Sequence, residues 1–501
     1  MAESVALHDK DRVGKVEQYG VEFIPEHERK SGPKNLSIIL FGGSLTFGII
    51  VIGWFPVAFG LGWWHAASAI VVGSALGGVF LSLMGLMGPR TGTNNPVSSG
   101  AFFGVAGRLI GSFLEGSASL AFAALSIWTG GDALAGAMGR YLGIEDTSVA
   151  RLVAYAVLSI VITIVSILGH ASMVAAQKLM IPTAGLCMLV GLWIYGRGFD
   201  FGYQGTGTYI LGGFWPTWML SALVCASTVS SYGAYAGDWT RHISRKLHAD
   251  KSVLRALFLG GLFGMGGPFM WGAFTASATF ASGVADESTP YVLGLIAAAP
   301  LWYIPALMYL GLASGTAQAV INTYGTGLDM SAIIPRLNRV QATFLACAMA
   351  TLLVYVGHFY DAIAAAMGVY LQLLVCFSIP WIVIIVMGHF QRRAYYDVDD
   401  LQVFNRGEKG GIYWYTSGIN YRAFGVWSLA VVAGMLCSNN DAFVGPLVPY
   451  IGGIDGGLLV SGVVALVAYP VVMRFFPDRP EVYGPPADPD LDLGAVGARR
   501  S

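Results

Sequence analysis

The sequence predicts an all-α integral membrane protein with about twelve transmembrane helices. Three observations support this prediction: charged residues are scarce, long stretches contain no charge, and lysine and arginine are distributed unevenly between the connecting loops. Of the 501 residues, 55% are hydrophobic and only 11% are charged, and the mean hydropathy is +0.63. A soluble domain carries charge on roughly a quarter of its residues. The composition therefore excludes an ordinary soluble protein.

Seven long segments contain no Asp, Glu, Lys or Arg. They lie between residues 34 and 90, 151 and 178, 200 and 238, 255 and 286, 287 and 329, 361 and 392, and 422 and 441. A helix needs about 20 apolar residues to cross the hydrocarbon core, so each segment holds one span or a pair. We predict spans at 36–60, 65–88, 109–136, 150–169, 178–198, 216–236, 256–280, 301–328, 341–357, 362–388, 421–438 and 447–475.

These spans divide the chain into three parts. Residues 1–35 form a polar N-terminal tail, residues 36–475 form the transmembrane domain, and residues 476–501 form a tail rich in Pro and Asp. The last segment is too polar to pack, and we predict that it is disordered. The first apolar run, which begins near Leu36, is long enough to remain as a span, so we expect no cleaved signal peptide.

Lysine and arginine predict the orientation of the chain. If both tails and every loop from an even to an odd span are cytoplasmic, 25 of the 28 basic residues lie inside, and only Arg140, Arg151 and Arg197 lie outside. Cytoplasmic loops of membrane proteins carry this excess of positive charge. We predict a multi-pass protein of the plasma or inner membrane, with an even number of spans and both termini in the cytoplasm.

The sequence gives little support for a catalytic site or a metal site. The five cysteines lie inside apolar runs and have neither metal nor redox spacing. His65 and His170 lie at span ends, and no cluster of His, Cys or acidic residues has catalytic spacing within the spans. We therefore predict no enzyme activity, no firm metal site and no binding of nucleic acid. A non-transporting sensor stays open, although no appended signalling domain is visible.

Small and hydroxylic residues cluster in spans one and six. They are Gly42, Gly43, Ser44, Thr46 and Gly48 in span one, and Ser227, Thr228, Ser230, Ser231 and Gly233 in span six. Broken helices at corresponding positions of two repeats mark the binding site of inverted-repeat transporters, and spans one and six are five apart, as a five-plus-five repeat requires. Close helix packing explains such residues equally well.

Seven motifs, in order along the chain, resemble the purine–cytosine permease family, also called the nucleobase–cation symport family. They are VEQYGV and IPEHER at 16–29, FGGS at 41–44, AFGLGWWHA at 58–66, GPRTG at 88–92 with Phe103, Gly104 and Gly107, GDWTR at 237–241, a Gly/Asp/Pro-Arg pattern at 327–336, and the segments 399–401 and 413–420. The resemblance covers essentially the whole chain.

The resemblance implies a LeuT-like fold, in which ten core helices form two inverted repeats and two more are added. It also implies uptake of a small heterocycle such as cytosine, a purine, uracil, allantoin or thiamine, with Na⁺ or H⁺ as the coupling ion and no other cofactor. The partners would be this heterocycle and the lipid bilayer; the oligomeric state stays open. The alternative is a carrier of the same fold for another small polar solute, such as an amino acid.

The same resemblance, taken residue by residue, indicates the substrate site. Phe122 stands at the family's aromatic position on span three and keeps a stacking face. Ser126 stands at a glutamine position, and Val229 stands at the aromatic position of span six, where Tyr232 could replace the missing ring. The further candidates are Gly43, Ser44, Ser231, Gln318 and Asn322. Gln318 and Asn322 share a helix face, and their amides could bind a base edge or only hydrogen-bond between helices.

Candidates for cation coupling are Glu115, Ala313 and Thr316. Glu115 could carry a proton, because an acid inside a span is costly and usually functional; alternatively it pairs with Arg108 or water. The family's paired hydroxyls of span eight fall near Thr316 and Ala317, so one hydroxyl is missing. Two further pairs stand near span ends: we interpret Asp238 and Arg241 as a gate or helix-end pair, and Trp128 and Asp132 resemble a motif of some members.

Overall fold

The computed structural model describes residues 14, 20–143, 148–334, 336–440 and 443–484, and these residues form one helical bundle. Its helices correspond in order to the twelve predicted spans. Spans one to six are Pro33–Ser44 with Phe47–Ala58, Trp63–Met84, Leu109–Leu142, Ser148–Leu168, His170–Tyr195 and Phe214–Thr240; spans seven to twelve are Asp250–Ala281, Leu301–Ile333, Arg339–Phe359, Asp361–Gln391, Tyr421–Leu436 and Gly457–Phe475.

Short elements connect these spans. They are the helices Met87–Thr91, Asn95–Phe103, Tyr291–Ala298 and Val398–Leu401, the 3₁₀ turns Glu26–Glu28, Val448–Ile451 and Pro480–Tyr483, and an antiparallel pair of two-residue strands, Asn439–Asn440 and Phe443–Val444.

Length and apolar composition support ten of the twelve spans directly. Within the described residues, nine helices are long and apolar enough to cross a membrane, and the bent pair Pro33–Ser44 and Phe47–Ala58 makes ten. The other two are Phe214–Thr240, whose many hydroxyl residues make it more polar, and Tyr421–Leu436, which has only 16 residues.

Span one is broken near its middle. Its two helices meet at 69°, and the break consists of Leu45 and the extended Thr46, whose φ and ψ are −132° and 148°. Gly43, just before the break, lies so close to span eight that an added Cβ would be 2.3 Å from Ile321 Cδ1. Glycine therefore permits the contact between the broken helix and span eight.

Span six, in contrast, is one continuous helix from Phe214 to Thr240. Its small residues pack against span two: a Cβ on Gly73 or Gly77 would lie 2.2 Å and 2.5 Å from the carbonyl oxygens of Ala222 and Ala226. Of the predicted cluster, Gly233 also faces span two, because an added Cβ would lie 3.3 Å from Met84 Cγ, so this part of span six serves close helix packing.

Spans seven and eight each contain a π-helical segment, Gly260–Met265 and Leu310–Ser314. Such segments interrupt the regular hydrogen-bond ladder and are frequent at functional sites. The segment in span eight immediately precedes Gly315 and Thr316, so the predicted cation-coupling residues lie at a local irregularity of the helix.

Residues 20–31, called here the N-terminal segment, lie across one end of the bundle. Backbone hydrogen bonds join Ile24 N to Gly92 O and Ser31 N to His242 O, both at 3.0 Å, and the Gln402 side chain donates to Val21 O at 3.3 Å. These partners follow spans two, six and ten. At the opposite end, Trp63 N donates to Tyr203 O and Ile210 N to Phe59 O. The even-to-odd loops therefore share one face with the N-terminal segment.

The described part of the predicted C-terminal tail corrects one expectation. Residues 476–484 are packed rather than disordered, because Asp478 forms a buried ion pair with Arg392 at 2.5 Å and a second one with Arg422 at 2.8 Å, and Val482 is fully buried. Residues 485–501, and most of the predicted tail 1–35 before Gly20, lie outside the described residues.

Candidate functional site

A cavity of about 550 Å³ lies in the middle of the bundle, between the second half of span one and spans three, six and ten. Its walls are mainly apolar. The polar and aromatic residues that line it are Phe55, Phe59, Glu115, Phe122, Trp128, Thr129, Asp132, Ser227, Thr228, Ser230, Ser231, Ser378 and Trp381. A volume of this size, with aromatic walls and few polar groups, is typical of a site for a small molecule.

Phe122 and Tyr232 meet at one wall of this cavity. Their ring centroids are 6.5 Å apart and the rings are inclined by 51°. Phe122 lines the cavity, whereas Tyr232 is fully buried behind it and its hydroxyl accepts a hydrogen bond from the Gln318 side chain. The structure thus brings these three predicted substrate residues together across spans three, six and eight.

The other predicted residues of spans three and six lie differently. Ser231 lines the cavity and its hydroxyl donates to Thr228 O at 2.8 Å. Ser126 is also buried. Its hydroxyl donates to Phe122 O at 2.7 Å and faces Gly48 at the start of the second half of span one. Val229 is fully buried against Gly77 and Gly261 of spans two and seven.

Val229 therefore lies on the face of span six that points away from the cavity. Residues 227, 228, 230, 231 and 234 form the cavity face, and a step of one residue along a helix rotates a side chain by about 100°. The structure does not bring Val229 to the predicted substrate site, and Tyr232 is the aromatic residue of span six nearest to Phe122.

Polar side chains gather where span one is broken. Gln318 Oε1 would lie 3.5 Å from a Cβ on Gly43, and Ser44 ends the first half of the span. Gln318 Oε1 and both polar atoms of the Asn322 side chain are buried without a hydrogen-bond partner. Unsatisfied buried amides are costly, so these groups are suited to a ligand.

The predicted residues Ala313 and Thr316 come before Gln318 in span eight. Ala313 is part of the π-helical segment, and Thr316 Oγ1 donates to Leu312 O at 2.8 Å. Neither residue lines the cavity. Gly315, between them, lies against span three, because an added Cβ would be 3.1 Å from Ser126 O.

Three carboxylates from different spans lie together at one end of the cavity. Glu115 lines it and is 1% exposed, and Asp238 and Asp329 are buried next to it. A Cβ on Gly325 would lie 3.1 Å from Asp238 Oδ2 and 4.0 Å from Glu115 Oε1, and one on Gly116 would lie 3.6 Å from Asp329 Oδ2. This group is called the acidic floor.

Two guanidinium groups accompany the acidic floor. Arg241 interacts electrostatically with Glu115, and Arg108 with Asp329. Arg241 also donates to Gly20 O in the N-terminal segment and to the Tyr324 hydroxyl. Asp238 and Arg241, predicted as a gate or helix-end pair, are thus fully buried between the cavity and the N-terminal segment. Among the described residues, no group of three His, Cys, Asp or Glu side chains could hold a metal ion.

Several lining residues were not predicted from the sequence. Phe55, Phe59, Ser378 and Trp381 complete the cavity walls. Gln177 of span five lies beside the break: its side-chain amide donates to Ala317 O at 3.0 Å, and its Oε1 would be 2.8 Å from a Cβ on Gly42. The sequence gives only a weak signal for it, a glutamine that follows apolar residues and directly precedes Lys178.

A bundle of this kind, in which a broken helix borders a central cavity, defines a membrane transporter. The sequence model of a family described as "Permease for cytosine/purines, uracil, thiamine, allantoin" matches residues 23–464. The chain belongs to this permease family, and the predicted family is confirmed. The Bacillus subtilis (strain 168) protein named "Putative purine-cytosine permease YxlA" is 24% identical over 480 residues, which cover 92% of this chain and 96% of that protein.

Solved structures agree with this fold. Mhp1, a nucleobase-cation-symport-1 family transporter, in a closed conformation with bromovinylhydantoin bound, superposes with a TM-score of 0.70 at 18% identity over 93% of this chain and 97% of Mhp1. A Na⁺-coupled sialic acid symporter superposes with a TM-score of 0.60 at 12% identity over 90% of this chain and 92% of its own. These similarities confirm the predicted LeuT-like fold.

Proposed function

We propose that this permease is a secondary active symporter that moves a nucleobase-like heterocycle together with Na⁺ or H⁺. The observation that supports this proposal best is the position of the cavity. The second half of the broken span one forms one wall of it, and Phe122 of span three forms part of another. Carriers built on inverted repeats bind substrate and ion at such a break. The bound hydantoin of Mhp1, a small planar heterocycle, adds support by analogy of fold.

The cation-coupling residues are proposed from the same region. Thr316 offers a hydroxyl oxygen on span eight, and oxygen ligands suit Na⁺, whereas the side chain of Ala317 offers none. Glu115, at the cavity floor, could take up a proton. We therefore keep both ions in the proposal and let a gradient experiment decide between them.

The membrane orientation is part of the same proposal. The N-terminal segment and the even-to-odd loops share one face, and these segments hold most of the basic residues. That face would be cytoplasmic in a plasma or inner membrane. An amino-acid carrier of the same fold is less well supported, because the cavity has aromatic walls and no cationic side chain among its described residues.

Uptake into proteoliposomes tests the proposed function. Labelled cytosine, uracil, hypoxanthine, allantoin and thiamine would be supplied under an imposed Na⁺ gradient, an imposed H⁺ gradient or neither. We expect saturable accumulation of at least one compound under one gradient and none without a gradient. Accumulation of a labelled amino acid, with no uptake of any heterocycle, would instead support the alternative carrier.

A further inference from the structure

We propose that the stacked pair His170–His242 is a pH-sensitive latch, which holds the end of the bundle under the N-terminal segment closed and releases it when that side becomes acidic. His170 is the first residue of span five, and His242 lies two residues after the end of span six. Their rings are nearly parallel, with centroids 4.1 Å apart and planes inclined by 6°, and both residues are buried. The inference goes beyond the proposed function and holds whichever substrate and ion the permease carries.

The chain around each ring fixes its position. Span four ends at Leu168 and span five begins at His170, so Gly169 alone joins them, with the positive φ of 90° that favours glycine. On the other side, His242 O accepts a hydrogen bond from Ser31 N of the N-terminal segment at 3.0 Å. The stack therefore connects three parts of this end: the start of span five, the loop after span six and the N-terminal segment.

Guanidinium groups surround the stack. Three of them act on His242, and these belong to Arg241 beside it in the chain, Arg29 of the N-terminal segment and Arg339 at the start of span nine. Arg339 is held at the end of span four, because its side chain donates to Ser166 O at 3.1 Å. The imidazoles thus face positive charge from three different elements.

The nearby carboxylates are committed to arginines. Glu26 of the N-terminal segment pairs with Arg29 at 2.9 Å and accepts a hydrogen bond from Ser244 Oγ at 2.6 Å. Glu115 of the acidic floor interacts electrostatically with Arg241. These acids offset part of the arginine charge, and the surroundings of the two rings favour neutral imidazoles.

Protonation is therefore disfavoured while the stack is closed. Burial, the neighbouring His170 and the three guanidinium groups lower the pKa of His242 well below its ordinary value of about 6.5. Two imidazolium rings with centroids 4.1 Å apart would also repel each other. A separated ring in water regains its ordinary pKa, so below about pH 6.5 the open form binds more protons and is favoured increasingly as the pH falls. The latch is closed at neutral pH and opens on acidification.

Distances between two spin labels test the latch in the full-length protein in lipid nanodiscs. Labels would be attached to Lys178→Cys of span five and Leu247→Cys of the loop after span six, both exposed positions, in a variant without the five native cysteines. Double electron–electron resonance would give their separation at about pH 7.5 and about pH 5.5. Over this interval an imidazole that titrates only in the open form raises the ratio of open to closed populations about tenfold, so we expect up to about a hundredfold for the pair.

Phenylalanine variants separate the two rings, because phenylalanine keeps an aromatic face and takes up no proton. His242→Phe and His170→Phe should each reduce the pH response to about tenfold or less, and the double variant should abolish it. His65→Phe is the control, since His65 is exposed at the opposite end of the bundle, and it should respond as the parent does. Size-exclusion profiles and thermal unfolding at neutral pH would first establish that the variants are folded.

The outcomes keep this inference apart from the proposed function. A label separation that does not change with pH in the parent protein would overturn the latch. A full pH response in the folded double variant would also overturn it, because other groups would then be titrating. Heterocycle uptake without pH-dependent opening would remove the latch alone, whereas opening that needs both histidines would support it even if no heterocycle were transported.

Discussion

The rings of Phe122 and Tyr232 face each other across spans three and six, with centroids 6.5 Å apart and planes inclined by 51°. The two rings differ in exposure: Phe122 borders the cavity, whereas Tyr232 is 1% exposed and supports it from behind. Phe122 is thus placed to stack on a ligand, and Tyr232 is placed to hold Phe122 in position.

Phe122→Ala should therefore weaken substrate binding. Loss of the ring removes a stacking face and leaves apolar surface of the cavity unfilled, so we expect the KM for the transported heterocycle to rise at least about fivefold, from about 1–3 kcal/mol of lost stacking. Phe122→Trp restores a ring and should keep KM within about threefold of the parent value. Initial rates of uptake into proteoliposomes would give these constants.

The control for this experiment lies on the same helix. Phe113 is 62% exposed on the outer surface of the bundle, so Phe113→Ala should leave KM unchanged. If Phe122→Ala and Phe113→Ala both kept the parent KM, stacking on Phe122 would have no role in binding.

The hydrogen bond from Gln318 to the Tyr232 hydroxyl predicts a stability effect. Tyr232→Phe removes the acceptor and leaves a buried amide without a partner, which costs about 1–3 kcal/mol. We expect a lower unfolding temperature in detergent. In the double variant Tyr232→Phe/Gln318→Leu both polar partners are gone, so its destabilisation should be smaller than the sum of the two single changes. Additive losses would show that the two side chains do not interact.

Much of the fold could be predicted from sequence because the bilayer imposes simple rules. Apolar length and charge placement located twelve helices in the correct order, since each span must satisfy its backbone hydrogen bonds internally. The break of span one was also visible, in the run of small residues before Leu45. The same composition in span six gave no break: Gly233 packs against span two, and Ser227, Thr228, Ser230 and Ser231 line the cavity.

The site was harder to predict, since it depends on rotation about each helix axis. Phe122 and Ser231 line the cavity, but Val229 points away from it. The acidic floor unites residues 115, 238 and 329, of which the first and the last are more than two hundred positions apart in the chain. Such a cluster follows from helix packing, and one sequence without an alignment contains no direct sign of it.

The N-terminal segment should control access to the cavity from its own face. Arg29 donates to Pro89 O and Ile24 O at 2.8 Å and pairs with Glu26 at 2.9 Å. Burial lowers the pKa of the Arg29 guanidinium from its usual value, and the neighbouring Glu26 carboxylate opposes this shift. Loss of these contacts should loosen the segment and open this face of the bundle.

We therefore expect Arg29→Gln to increase solvent access to the end of the bundle that the N-terminal segment covers. Ser331 is 9% exposed and borders a cleft with Gly20 and Val21. In a variant without the five native cysteines, Ser331→Cys would report this access through its rate of maleimide labelling. We expect labelling to accelerate several-fold with Arg29→Gln but not with Lys30→Gln, whose side chain is exposed. Equal rates in all three proteins would show that the segment does not restrict access.

The buried ion pair of Asp478 should stabilise the end of the bundle more than a surface ion pair does. Arg392 and Asp478 are 2% and 1% exposed at their side chains, and Asp478 also accepts from Arg422 and Asn420. Asp478→Asn leaves two guanidinium groups without their counter-charge, one of them buried, and removal of one partner of a buried pair costs about 3–5 kcal/mol.

The matched control is Asp399→Asn, which removes the partner of Arg406. That pair has side-chain exposures of 48% and 88%, and surface pairs contribute about 0–1 kcal/mol. We expect a marked fall of the unfolding temperature for Asp478→Asn and almost none for Asp399→Asn, measured by thermal unfolding in the same detergent. If the two variants unfolded at the same temperature, residues 476–484 would contribute no more to stability than an exposed loop, and their packing against spans ten and eleven would be energetically neutral.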